Sequence, residues 1–183
     1  MAMRIRSGIA AAAILVVGSI VVSAAPGGST GAAASAPGDA PLPYPTEMTL
    51  AQSDYVEHCG GCHGVQGDAA PANLPSLRGR VGWFMCTPET RAYLLRLPNV
   101  ARSRISDNDE LADLLNFMIF GLGGASTPKG TRPFTGAEVA SGRADPFTSV
   151  SLVETRARLV DTLVRKCGAP ASLRLMYPGQ KLH

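Results

Sequence analysis

Apolar positions along the chain fall into short helical spacings separated by glycine- and proline-rich breaks. Over 50–59, Leu50, Tyr55 and Val56 supply an apolar side and Thr49 a cap, which predicts a short helix. Gly60, Gly61, Gly64 and Gly67 are expected to interrupt regular structure after it. Residues 68–82 read as loop, punctuated by Pro71, Pro75 and Gly79. Thr87-Pro88-Glu89 is a helix start, with Thr87 at the cap and Pro88 at the first helical position; that helix should cover 89–97 and end at Pro98. Ser106 is the expected cap of the next helix, with Asp107 and Asp109 in its first turn, near the positive end of the dipole. Leu111, Leu114, Leu115, Met118 and Ile119 form its apolar stripe through to Phe120, and Gly121, Gly123 and Gly124 stop it.

The second half is sparser. Residues 125–148 read as irregular, with Pro128, Pro133 and Pro146, and a short helical turn over 135–141. A last helix is expected near 150–166, where Leu152, Val153, Arg156, Leu159, Val160, Leu163 and Val164 recur at helical spacing. No repeat and no strand pattern stands out, so the predicted fold class is all-α.

The N-terminus has a different pattern. Arg4 and Arg6 precede an apolar run over 8–22 and the small residues Ser23-Ala24-Ala25, which fits an export signal over 1–25. The alternative is an uncleaved anchor that tethers the protein to a membrane, although about 15 apolar residues is short for a membrane span. Either places the body of the protein outside the cytoplasm, in the periplasm. Residues 26–47, rich in Pro, Gly, Ala and Ser, read as a flexible linker. The remaining chain divides into an expected core over 48–124 and an extension over 125–183.

Charge narrows the function. Without Arg4 and Arg6, 15 basic residues face 14 acidic ones, so there is no basic excess of the kind nucleic-acid binding uses. Aromatic residues are only 5% of the chain, so a buried planar cofactor would help fill a small core.

Cys59-Gly60-Gly61-Cys62-His63 supplies the chemistry for such a cofactor. Two thiols three residues apart can add to the two vinyl groups of one haem, and the adjacent histidine then falls under the iron as proximal ligand. A thioredoxin-like dithiol would sit at a helix start after a buried strand, and none precedes Cys59. Zinc is poorly served by an adjacent Cys and His without downstream partners. One motif implies one covalently attached haem c. The remaining cysteines, Cys86 and Cys167, are candidates for a disulfide in an oxidising compartment.

Cys59 to Gly67 reads CGGCHGVQG, followed by Asn73-Leu-Pro-Ser-Leu-Arg-Gly79, by Tyr93-Leu94, and by Ile105-Ser-Asp-Asn-Asp-Glu-Leu-Ala112 leading into a helix. This order resembles the small class I c-type cytochromes of bacterial periplasms, among them those that accept electrons from a dehydrogenase. The resemblance implies an all-α haem domain whose first and last core helices pack together, here within about 49–120, with an extended C-terminal helical segment. It also implies that the Pro75 carbonyl accepts the Nδ1 proton of His63, fixing its tautomer.

In that family a methionine in the loop before the last core helix is the usual sixth ligand. Here the loop is Leu97-Pro-Asn-Val-Ala-Arg-Ser-Arg104, with neither methionine nor histidine. Met118 is the candidate sixth ligand, with core packing as the other reading. Met85, beside Trp83 and Phe84, is a second candidate, and an open position or His183 remains. Arg78, with Arg80, Arg91, Arg96, Arg102 and Arg104, is placed to bind haem propionates, to rim a docking surface or to face solvent. The expected function is single-electron transfer between protein redox partners, without an enzymatic reaction. The alternative is a haem enzyme or small-ligand binder with an open iron.

Overall fold

The computed structural model describes residues 48–69, 74–148 and 151–176. The expected signal (1–25), the linker (26–47), Pro71 and His183 lie outside them. The chain divides into units 1–33 and 34–183, and every described residue belongs to the second. Each regular element among the described residues is helical, so the expected all-α class is the one the chain forms.

The first core helix, α1 (Leu50–Tyr55), starts in a capping box: Thr49 Oγ1 accepts from Gln52 N and the Gln52 side chain accepts from Thr49 N. It does not stop at the glycines. The backbone widens into a π-helical stretch over Val56–Gly60 and continues as α2 (Gly61–His63), ending where Gly64 takes a φ of 76°. The expected break at Gly60 and Gly61 is therefore displaced to Gly64, the first glycine to take a positive φ, a conformation that costs glycine little.

A 3-10 turn (Val81–Met85) leads into α3 (Pro88–Arg96), capped by Thr87 as expected. The loop expected after Pro98 instead begins with a single helical turn, α4 (Pro98–Ala101). The next helix, α5 (Asn108–Asn116), is capped by Asp107 rather than Ser106; the Asp107 carboxylate accepts from the backbone amides of Asp109 and Glu110. That helix also widens into a π stretch, Phe117–Leu122. α1 packs on α5, with the Tyr55 and Phe117 rings meeting edge to face at 5.6 Å between centroids.

The extension has more order than its prolines suggest. A full helix, α6 (Gly136–Ala144), replaces the short expected turn, fixed by a capping box between Thr135 and Glu138. It packs on α5 and α3. The last helix, α7 (Leu152–Cys167), is capped by Ser151 and closed by Gly168. A 3-10 turn, Ala171–Arg174, folds back on it. Val139, Leu159, Val160, Leu163 and Leu173 join Tyr55, Leu94, Leu114 and Ile119 in one buried cluster. The expected disulfide is present: Cys86 and Cys167 are bonded across 81 positions.

Candidate haem-attachment site

The site begins with Tyr55, completely buried and four residues ahead of Cys59. Its hydroxyl donates to the Gly64 carbonyl at 2.7 Å. That single bond ties the start of the widened turn to the end of α2. Cys59, half-buried, and Cys62, exposed, lie between and are not bonded to each other.

The following loop then folds back on the motif. Ala69 N donates to His63 O at 2.7 Å, and Leu77 N and Arg78 N both donate to Gly67 O, at 2.8 and 2.9 Å. The Ser76 hydroxyl adds a third bond to the same carbonyl, at 3.1 Å. This brings the Pro75 carbonyl to 3.3 Å from His63 Nδ1. With the proton on Nδ1 donated to Pro75, the Nε2 lone pair is left to act as a ligand.

Burial is the main electrostatic force here. It holds the His63 pKa below its ordinary value, against the opposing pull of the Pro75 carbonyl, and so favours the neutral ring that metal ligation needs. Burial also pushes the Cys59 thiol up to about 11, assisted by the charge of Cys62. Cys59 is thus held as a neutral thiol in the absence of a reaction partner. Two unbonded thiols beside an imidazole with one nitrogen engaged form the donor set that covalent haem attachment uses. Among the described residues, no three His, Cys, Asp or Glu side chains cluster in the way a bare-ion site requires.

The other sequence-predicted residues are placed as follows. Arg78 donates from Nη1 to Gln66 Oε1 at 3.4 Å, within the loop that follows the motif. Met118 is half-buried on the Phe117–Leu122 stretch and packs against the core. Met85 is buried with Sδ 4.0 Å from Arg91 Nη1. Met176 Sδ stands 3.4 Å from Arg156 Nη1. Trp83 is half-buried against the core and Tyr93 is buried. An open cleft of about 570 Å³ lies between α3 and α6, but it is lined by Thr87, Arg91, Arg96, Arg132 and Glu138 and by no residue of 59–63.

Three features lay outside the sequence reading. One is the Tyr55–Gly64 bond, for which the tyrosine's position in the apolar pattern was the only signal. Another is Arg143, whose guanidinium donates to the carbonyls of Ser103, Ile105 and Ser106 and to Asn108 Oδ1. It fastens the end of the loop over 97–104, at Ser103, together with the residues that lead from it into α5. The third is Arg156, buried on α7, which the helical spacing placed on the apolar side without giving a reason.

With this geometry in view, the chain is similar to two cytochromes c-552 of Thermus thermophilus. It is 28% identical over 132 residues to the first, covering 61% of this chain and 89% of that protein. It is 28% identical over 118 residues to the second, covering 55% of this chain and 90% of that protein. No family model and no solved structure matches it. The similarity is distant and points to redox proteins in general.

Proposed function

We propose that this chain is an exported monohaem c-type cytochrome that passes single electrons between protein partners. The observation that carries the reading is the pairing of His63 Nδ1 with the Pro75 carbonyl beside two unbonded thiols in the order Cys-x-x-Cys-His. The similarity to cytochrome c-552 supports the same chemistry from an independent direction.

In this reading Cys59 and Cys62 hold the haem through thioether bonds, and His63 Nε2 ligates the iron. The bound haem supplies a one-electron iron couple. Burial keeps the imidazole neutral, and the Pro75 carbonyl keeps it oriented and electron-rich. Tyr55 keeps the two ends of the attachment turn together. The covalent link prevents loss of the cofactor outside the cytoplasm, where the signal-like N-terminus would place the protein. Partners would be redox proteins, a dehydrogenase on the donor side among them, and an N-terminus left uncleaved would serve as a membrane tether.

Met118 is the proposed sixth ligand. Two of the other methionine sulfurs face arginine guanidiniums, which leaves Met118 as the core methionine without such a contact. The loop that lacks a methionine favours a second reading, in which the sixth position is open and binds small ligands.

Expression in a host that attaches haem tests the whole proposal. The denatured protein should retain one haem by mass and by its pyridine haemochrome spectrum. Cys59→Ser and Cys62→Ser should each leave a single thioether, and the double variant should lose the haem on denaturation. Protein that carries no covalent haem would sink the reading. A sulfur-to-iron charge-transfer band lost in Met118→Ala establishes the sixth ligand; rapid carbon monoxide binding by the reduced wild-type protein establishes the open position.

A further inference from the structure

Among the described residues Asp54 is the only buried acid, 7% exposed on α1. Its Oδ2 is closed off from solvent and has no hydrogen-bond partner. No ion pair involves it either: the acids that meet a basic group are Glu57, Glu138, Asp145 and Asp161. Neither the attachment of a haem nor the packing of Tyr55 gives this carboxyl a use.

A buried carboxylate without compensation is costly, and a fold keeps one where a cation or a proton meets it. The side chains around α1 supply no cation from within the core. The regular elements that pack on it are the Val56–Gly60 stretch, α5 and the Phe117–Leu122 stretch. The first carries Glu57, His58 and Cys59, the second Asp109, Glu110 and Asp113, and the third no titratable group. Glu57, His58, Asp109 and Asp113 are exposed, Glu110 is half-buried, and Cys59 is consumed by attachment. The one basic group in that set, His58, stands at the surface with Nε2 4.0 Å from Glu57 Oε1. The attachment motif, however, lies on the same helical path. Asp54 precedes Cys59 by five residues, about 7.5 Å along the axis at the rise of an α-helix. A haem with neutral axial ligands carries one net positive charge at its iron when oxidised and none when reduced. A haem attached at Cys59 and Cys62 therefore supplies the missing opposite charge in its oxidised form and withdraws it on reduction.

We propose that Asp54 takes up a proton when the haem is reduced and releases it on oxidation, so that the protein carries a proton with its electron. This rests on the haem reading above. The step balances: the donor gives one electron to the iron, the solvent gives one proton to the carboxylate, and oxidation by the acceptor returns both. The only bond made or broken in the chain is the O–H of Asp54. Because the proton binds with the electron, the protein becomes a stronger electron acceptor as pH falls.

The test uses purified haem-loaded protein, so a preparation without covalent haem fails the earlier reading before this one is reached. Reduction potentials are titrated between about pH 4 and pH 9 for wild type, Asp54→Asn and the surface controls Glu57→Gln and His58→Gln. Where one proton follows one electron, each pH unit changes the reduction equilibrium tenfold, a slope of about 59 mV at its steepest. Wild type and both controls should show that falling segment. Asp54→Asn should be flat across it, near the high potential that wild type reaches in acid. A slope that persists in Asp54→Asn, or that vanishes in His58→Gln, belongs to another group and overturns the proposal; so does a flat wild type. Redox-difference infrared spectra of wild type give a readout that needs no variant to fold. Reduction at a pH within the sloping segment should raise a protonated-carboxyl band that shifts when the protein is grown on carbon-13 aspartate. A band that ignores the label comes from the haem carboxylates, and that result, or no band at all, sinks the proposal.

Discussion

At the scale of single residues, Tyr55 spans the Cys-x-x-Cys-His turn from one end to the other. Its hydroxyl is the donor that ties the Gly64 carbonyl, one residue after His63, to the helix that carries the thiols. Tyr55→Phe should keep the ring packing on Phe117 but leave the Gly64 carbonyl without that donor. The expected cost is about 1–2 kcal/mol in urea unfolding, the range for a buried hydrogen bond lost with one partner left behind. The sequence made the thiols and the histidine legible because their chemistry depends on spacing alone. It did not make Tyr55 legible, because a buried tyrosine in an apolar stripe looks the same whether its hydroxyl is used or not. Arg78, expected to bind a haem propionate, to rim a docking surface or to face solvent, donates from Nη1 to Gln66.

At the scale of elements, capping chemistry was the most readable signal and helix interiors the least. Thr49 and Thr87 begin helices where their type and neighbours indicate. The widened turns at Val56–Gly60 and Phe117–Leu122 left no mark in the pattern, since an extra residue per turn preserves apolar content and changes only its phase. Both stretches adjoin the Tyr55–Phe117 contact and carry, respectively, Cys59 and Met118. The Thr135 cap was legible only as a turn, because Gly136, Gly142 and nearby prolines weakened the helical signal. Gly142 is required there: a β-carbon would lie 2.5 Å from Leu95 Cβ, so its absence lets α6 approach α3.

The α3–α6 junction is also electrostatic. Glu138 accepts from Arg91 Nε and Nη2, both at 2.9 Å, and this bonding holds its carboxyl below the ordinary value. A carboxyl lowered by folding stabilises the fold above its unfolded value and loses that contribution as pH falls through its folded value. Glu138→Gln keeps the capping box with Thr135, since glutamine serves there, but removes the ion pair. The variant should be less stable than wild type by about 0.5–1 kcal/mol at pH 7, allowing for solvent screening of a partly exposed carboxylate. Below the folded value the difference should close. Urea titrations at pH 7 and at pH 3 measure both the cost and its decline.

At the scale of the whole molecule, elements before and after residue 124 share one core, and the bond between Cys86 and Cys167 closes the arrangement. Cys86→Ser with Cys167→Ser should cost about 2–4 kcal/mol by equilibrium unfolding, as expected for a crosslink that closes a long loop. Amide exchange should quicken most along α7, the helix that carries Cys167 and loses its covalent tie to the haem-motif half.

The same bond sets an order of events during synthesis. A chain that emerges N-terminus first presents Cys59, Cys62 and then Cys86 long before Cys167. For Cys86 the nearer thiol is Cys62, 24 positions away rather than 81, and chain entropy favours that shorter closure by about 1 kcal/mol. In the proposed haem-bound form, thioether bonds would withdraw the first two thiols from exchange and so favour the Cys86–Cys167 pairing. In a host unable to attach haem, the chain should accumulate mispaired species, resolved on non-reducing gels and by peptide mapping. Cys59→Ser with Cys62→Ser should restore the Cys86–Cys167 pair in that same host. Loading the cofactor and proofreading the crosslink would then be one and the same step of maturation.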